Sequence, residues 1–230
     1  MEQKIEYLEI YNNLINFKEY GAADSNIWVI GYEENWKSLV KCIEEYKNDI
    51  NSLIKGIGNN YQSEFSEEVN YNEMDCNNRD NKYYCNILKL LNEIDIDINS
   101  QRIFSTNFRP IGFKDHDLCN FLYFFNKSYN ECEKDLREIR LNKLVQIWKK
   151  HPPKLNFFFI SSRNEIWKDC QFFLKKIDPD FDLYQTKEFP FYHKVSESYF
   201  HFLYNTSRAS GFNKNIDYLE KFKTDIRNRN

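Results

Sequence analysis

The chain has 230 residues, 41% of them hydrophobic and 29% charged. That is enough for one large domain with a substantial core, and too apolar for a disordered chain. A net charge of −3 excludes a uniformly basic nucleic-acid binder, while a local basic site stays compatible with it. No apolar run reaches the length of a membrane span. No secretory leader opens the sequence, so the six cysteines, none in a CxxC pair, are expected as reduced thiols in a cytoplasm. Cys76 and Cys85 flank a polar segment that can bring them close together.

Taken in chain order, residues 2–19 carry Ile5, Leu8, Ile10, Tyr11, Leu14, Ile15 and Phe17 at helix-like intervals, which predicts an amphipathic helix packed on the domain. "IWVIGY", 27–32, is short, apolar and β-rich, the pattern of a strand buried on both faces. A helical pattern follows from Trp36 to about Ile54. Residues 56–83 are polar and aperiodic and read as a long irregular loop, a length that usually marks function or mobility. A helix is predicted over 84–94, and then a second buried strand, "RIFSTNF", 102–108. Helical segments near 115–127 and 130–150 precede a third strand, "LNFFFISS", 155–162. A helix over 164–176, a short strand over 182–186, a last strand "YFHFLYN" over 199–205 and a closing helix over 213–226 complete the chain. Apolar strands alternating with helices predict a three-layer α/β/α sandwich. Its central sheet should be mainly parallel, of four or five strands, in a single domain spanning 1–230.

The main strands share one feature: each ends in polar residues. They are Gly31-Tyr32-Glu33-Glu34, Ser105-Thr106-Asn107, Ser161-Ser162-Arg163 and Asn205-Thr206-Ser207-Arg208. In a parallel sheet these ends gather on one rim, where open α/β sheets bind ligands. Each group also has a local explanation. Glu33 and Glu34 suit the first turn of a helix, Asn107 suits a turn before Pro110, and Ser161, Asn205 and Ser207 suit helix caps. The four histidines have no metal-ligand spacing, and His201, alternating with aromatics, reads as a packed residue. No nucleophile elbow, Walker A loop or dinucleotide fingerprint is present.

In order, these segments resemble the uracil-DNA glycosylase superfamily. "VIGYEENW" is similar to that family's Gly-x-Asp/Glu-Pro motif, with Glu33 at the catalytic acid and Glu34 in place of proline. "FSTNFRPIGF" resembles the strand end that carries a base-reading asparagine, here Asn107. "NFFFISSRNEIWKDCQFFL" resembles the strand-turn-helix that follows. "YNTSRASGFN" is similar to the final His/Asn-Pro-Ser motif, with Asn205, Thr206 and Ser207 at its three positions. Asn205 stands where the best-known uracil enzymes have histidine, and Thr206 where the motif has proline. The resemblance spans about residues 27–220.

It implies hydrolysis of the N-glycosidic bond of a damaged or modified base in DNA, duplex or single-stranded, by a monomer without cofactor or metal. Glu33, with Glu34 second, would stabilise the oxocarbenium-like sugar and position water. The amides of Asn107 and Asn205 would donate to the leaving base. Tyr32, Tyr61 or Phe65 would stack on a flipped base. Ser105, Ser161 and Ser207 would hold phosphates, and Arg163 and Arg208 would neutralise them. Phe212 is either an intercalating wedge or a residue packed beneath the last helix. Two other readings stay open: a non-catalytic module on the same fold that binds nucleic acid or protein, and a hydrolase of free nucleosides or nucleotides.

Overall fold

The computed structural model describes residues 24–33, 82–93, 103–109, 128–160, 164–182, 189–204 and 209–227. The expected helices over 2–19, 36–54 and 115–127 lie outside the described residues, as does nearly all of the 56–83 loop and of the 182–186 strand. The described chain is built from β1 (Ile27–Glu33), α1 (Lys82–Glu93), β2 (Ile103–Arg109) and α2 (Tyr129–Asp135). A π-helical segment (Leu136–Leu141), α3 (Asn142–Lys150), β3 (Leu155–Ile160) and α4 (Asn164–Lys175) follow. β4 (Phe191–Val195), β5 (Ser198–Tyr204) and α5 (Ala209–Arg227) end it.

The sheet has five strands in the order β2-β1-β3-β5-β4. β1 pairs in parallel with both β2 and β3, and β3 with β5, so four strands point the same way. Among the described strands, β4 alone runs antiparallel, beside β5. The fold is therefore α/β, with a mostly parallel sheet.

Strand alternation sorts the apolar side chains into two cores. Trp28, Ile30, Phe104, Phe108, Phe158, Phe200 and Phe202 pack with Leu136 and Leu141 of the π segment, Leu144 and Trp148 of α3, and Phe173 of α4. Ile27, Val29, Phe157, Phe159 and Leu203 pack with Ile87, Leu90 and Leu91 of α1 and Leu219 of α5. Described helices thus pack against both sets of strand side chains, which is why β1 and β3 read as unbroken apolar runs.

One long helical stretch replaces the predicted 130–150 helix, and its start is legible. Ser128 Oγ accepts from the Glu131 amide at 3.3 Å while Glu131 Oε2 accepts from the Ser128 amide at 2.7 Å, a reciprocal capping box. Its middle is not α-helical. The π turn packs against β2 and α4, and Arg137 within it lies 3.7 Å from the buried carboxylate of Asp169. At the opposite end of the sheet from the polar rim, Asn156 accepts from Trp148 Nε1 at 3.1 Å and donates to Tyr199 O at 3.2 Å, joining β3 to α3 and β5.

β4 was not expected. It forms a hairpin with β5 in which Phe191 opposes Phe202 and Val195 opposes Ser198. The Phe191 and Phe202 rings stack at 4.4 Å. The two-residue turn places Ser196 at φ 53°, in the left-handed region. His193 Nε2 meets Asp178 Oδ2 at 2.7 Å, tying the edge strand to the chain that leaves α4. α1 begins at Lys82, inside the end of the expected loop, and α5 begins at Ala209, four residues earlier than expected. Phe212 consequently sits in α5 and packs on the second core, so the packed alternative is the observed one. The expectation of reduced thiols is corrected at Cys85, which is disulfide-bonded. Cys132 and Cys170 are buried thiols outside any disulfide, and burial pushes the Cys170 thiol up, with Asp169 adding to the effect.

Candidate active site at the carboxyl rim of the sheet

The four parallel strands end at Glu33, Arg109, Ile160 and Tyr204. Sheet order reverses at β1, whose successor in the chain, β2, lies on one side while β3 lies on the other. That reversal opens a crevice in such sheets, because the connections depart to opposite faces. The register puts Gly31 opposite Asn107 and Glu33 opposite Arg109. Alternation from Ile27 and Val29 assigns Gly31 to the α1/α5 face, and alternation from Ile103 assigns Ser105 to it. Glu33 and Asn107 lie at the same rim of the sheet, on neighbouring strands. Gly31, which is buried, stands directly opposite Asn107.

Two polar links brace this rim. In the first, Arg140 Nη2 donates to Thr106 Oγ1 at 2.6 Å, both side chains being buried. Arg140 comes from the π segment, and Thr106 directly precedes Asn107. In the second, the buried side chain of Asn215 in α5 makes two bonds to the backbone of Tyr204, the last residue of β5. Oδ1 accepts from Tyr204 N at 2.9 Å, and Nδ2 donates to Tyr204 O at 2.8 Å. The Tyr204 hydroxyl donates to Phe189 O at 3.1 Å, and Lys214 Nζ stands 5.1 Å over its ring.

No protein-family model matches the chain, and no curated protein matches it. The case for the site therefore rests on residues and geometry. Of the sequence-derived candidates, Tyr32, Glu33 and Asn107 are described as strand positions. Glu34, Phe65, Ser161, Arg163, Asn205, Ser207 and Arg208 lie outside the described residues, as does Tyr61. Ser105 is half-buried on the α1/α5 face, two residues short of Asn107. Among the described residues, no group of three His, Cys, Asp or Glu side chains is placed to hold a metal ion. No described helix is long and apolar enough to cross a membrane.

Deeper on the α1/α5 face, His201 of β5 is fully buried. Its Nδ1 lies 3.1 Å from the Tyr218 hydroxyl, and its ring stacks on Phe157 at 5.1 Å. Burial lowers its imidazole to about 3, and burial raises the Tyr218 phenol, helped by Tyr192. A neutral imidazole locked among aromatics is a packing element, in keeping with its alternation in the sequence.

Asn215 and Thr106 are missing from the sequence-derived candidates. Asn215 had a signal: it occupies the apolar stripe of α5 together with Phe212, Leu219 and Phe222, at i−3, i+4 and i+7. A buried amide on such a stripe must find partners. Thr106 stood in the polar end of the second strand, but its partner was not readable there, because that partner is an arginine 34 residues away in the chain.

Proposed function

We propose that this rim is the active site of a hydrolase that cleaves the N-glycosidic bond of a damaged or modified base in DNA. The observation that carries the reading is the register pair Gly31 and Asn107, with Glu33 two positions further along β1. Neighbouring strands lie about 4.8 Å apart and two residues advance about 6.7 Å. An acid and an amide are thus set about 8 Å apart at Cα on neighbouring strands, with Gly31 and Arg109 at the two remaining corners, a span suited to a sugar and its base. Glu33, with Glu34 beside it, stabilises positive charge on the sugar and orients water. Asn107 and Asn205 donate to the departing base. Tyr32 or Phe65 stacks on it once it is flipped. Ser161, Ser207, Arg163 and Arg208 grip the backbone. The enzyme acts as a monomer in this reading, without cofactor or metal, on duplex or single-stranded DNA.

The net charge of −3 favours a second reading, a binding module on the same fold. One experiment separates the two. Purified protein is incubated with DNAs carrying varied base lesions and with the free nucleosides, and released bases are identified by mass spectrometry. Base release from DNA that falls at least about a hundredfold in Glu33→Gln supports the enzyme. Binding without release supports the module, and release from free nucleosides alone supports a nucleoside hydrolase. A cytoplasmic site of action goes with a DNA substrate, and the disulfide at Cys85 argues the other way.

A further inference from the structure

We infer that Asn215 is a positioning residue for this reaction, fixing the exit of β5 from which the candidate motif Asn205–Arg208 departs. The inference rests on the glycosylase reading of that motif.

The geometry is that of a strand partner supplied by a single side chain. At the end of a strand, N–H and C=O groups lose their ladder, and a buried unpaired group costs free energy. Asn215 closes both gaps at Tyr204, through bonds of 2.9 and 2.8 Å, from a side chain with no exposed surface. No shorter or merely apolar residue can do this, since one side must accept and the other must donate. Asp would offer the acceptor alone. The same tyrosine is held a third time through its hydroxyl on Phe189 O. The chain therefore leaves the sheet from a fixed point, which is what placing a catalytic amide one residue later requires. Catalytic geometry tolerates little error, and a shift of about 1 Å far from the chemistry can cost about a hundredfold in rate.

A buried amide is also worth something to stability alone, and Asn156 provides the control. It too is buried with two partners, and it sits at the opposite end of the sheet. The test compares Asn215→Ala, Asn215→Asp and Asn156→Ala for melting temperature, Tyr204 amide exchange, and kcat and KM of base release. Asn215→Ala is expected to speed Tyr204 exchange and to lower kcat at least about tenfold, with KM little changed. Asn156→Ala should lose comparable stability and keep kcat. Asn215→Asp should be impaired at neutral pH and recover as pH falls, because a protonated carboxyl regains a donor for Tyr204 O. That recovery also keeps the test decisive if Asn215→Ala does not fold. Equal kcat in Asn215→Ala and Asn156→Ala, or an Asp variant with no acid recovery, would overturn the positioning role while leaving the glycosylase reading in place. A wild-type protein that releases no base from any DNA would overturn that reading, and the role with it, even with a slow-exchanging Tyr204 amide.

Discussion

Arg140 and Thr106 meet at 2.6 Å inside the protein, a guanidinium from a π turn bonded to a hydroxyl on β2. A π turn widens the helix by one residue, and such bulges recur where a side chain has to be redirected for a purpose. Here the turn packs on β2 and carries Arg140 under the last residues before Asn107. Arg140 is 1% exposed, so its charge depends on its partners. Thr106→Val keeps shape and removes one of them, and should destabilise by about 2 kcal/mol, the range for a bond to a buried charge. Arg140→Met should cost more, and the double variant should cost less than the sum of the two single changes by at least about 1 kcal/mol. Urea titrations of the four proteins check this, and strict additivity would mean that the bond contributes nothing of its own.

His201 makes folding sensitive to acid. Its folded value of about 3 lies well below the usual value of about 6.5. Between those two values the unfolded chain binds a proton that the folded protein refuses. Stability from this group is therefore complete above about pH 6.5 and falls as pH drops toward 3, at up to about 1.4 kcal/mol per pH unit. Phe at this position keeps the stacking on Phe157 and removes the titration. The unfolding free energy of His201→Phe, measured from pH 7 to pH 4, should fall less steeply than that of the wild type. Parallel curves would show that the imidazole is not held neutral by burial.

Ser196 is the one described non-glycine residue in the left-handed region, at φ 53° in the β4–β5 turn. That conformation costs an L-residue with a Cβ about 1 kcal/mol. Ser196→Gly should return part of this, raising the urea midpoint without changing the slope. A lower midpoint would mean that the serine makes compensating interactions in the turn.

How much of this was legible in the sequence depended on whether one residue carried its own signal. The four parallel strands were legible, because Ile27–Ile30 and Phe157–Phe159 are apolar on both faces and only a sheet covered on each side accepts that. β4 was not, because His193 and Lys194 break its apolar pattern. Its stability comes from Phe191 stacking on Phe202 and from the His193–Asp178 contact, both of which are tertiary. The gathering of the parallel strands' carboxyl ends on one rim was legible from the alternation of strands and helices. The rim's bracing was only partly so: Asn215 announces itself on an apolar helix stripe, while Arg140 and Thr106 are joined only by the fold.

The disulfide at Cys85 makes a chemical prediction. In protein unfolded without reductant, Cys132 and Cys170 should alkylate fully, since they are buried thiols outside any disulfide. Cys85 should alkylate only after a reductant is added, as peptide mass spectrometry will report. Alkylation of Cys85 in the unreduced sample would restore the expectation of a wholly thiol protein.

Gly31 separates an ordinary strand from a site most directly. Glycine in a strand interior weakens it, through lost packing and greater chain entropy in the unfolded state. If Gly31 is only a strand residue, Gly31→Ala should be neutral or stabilising, and base release should not change. If the missing side chain leaves room for a substrate beside the Glu33 and Asn107 positions, one added methyl intrudes on the ligand and not on the sheet. Gly31→Ala should then melt within a few degrees of the wild type while KM for the lesion-bearing DNA rises at least about tenfold. A methyl group in a tight site is worth about 1–3 kcal/mol, which sets that scale. The two readings diverge in binding at nearly constant stability, so melting curves and steady-state kinetics on the same preparations decide between them. An unchanged KM would remove Gly31 from the pocket and the strongest geometric support from the reading of this rim.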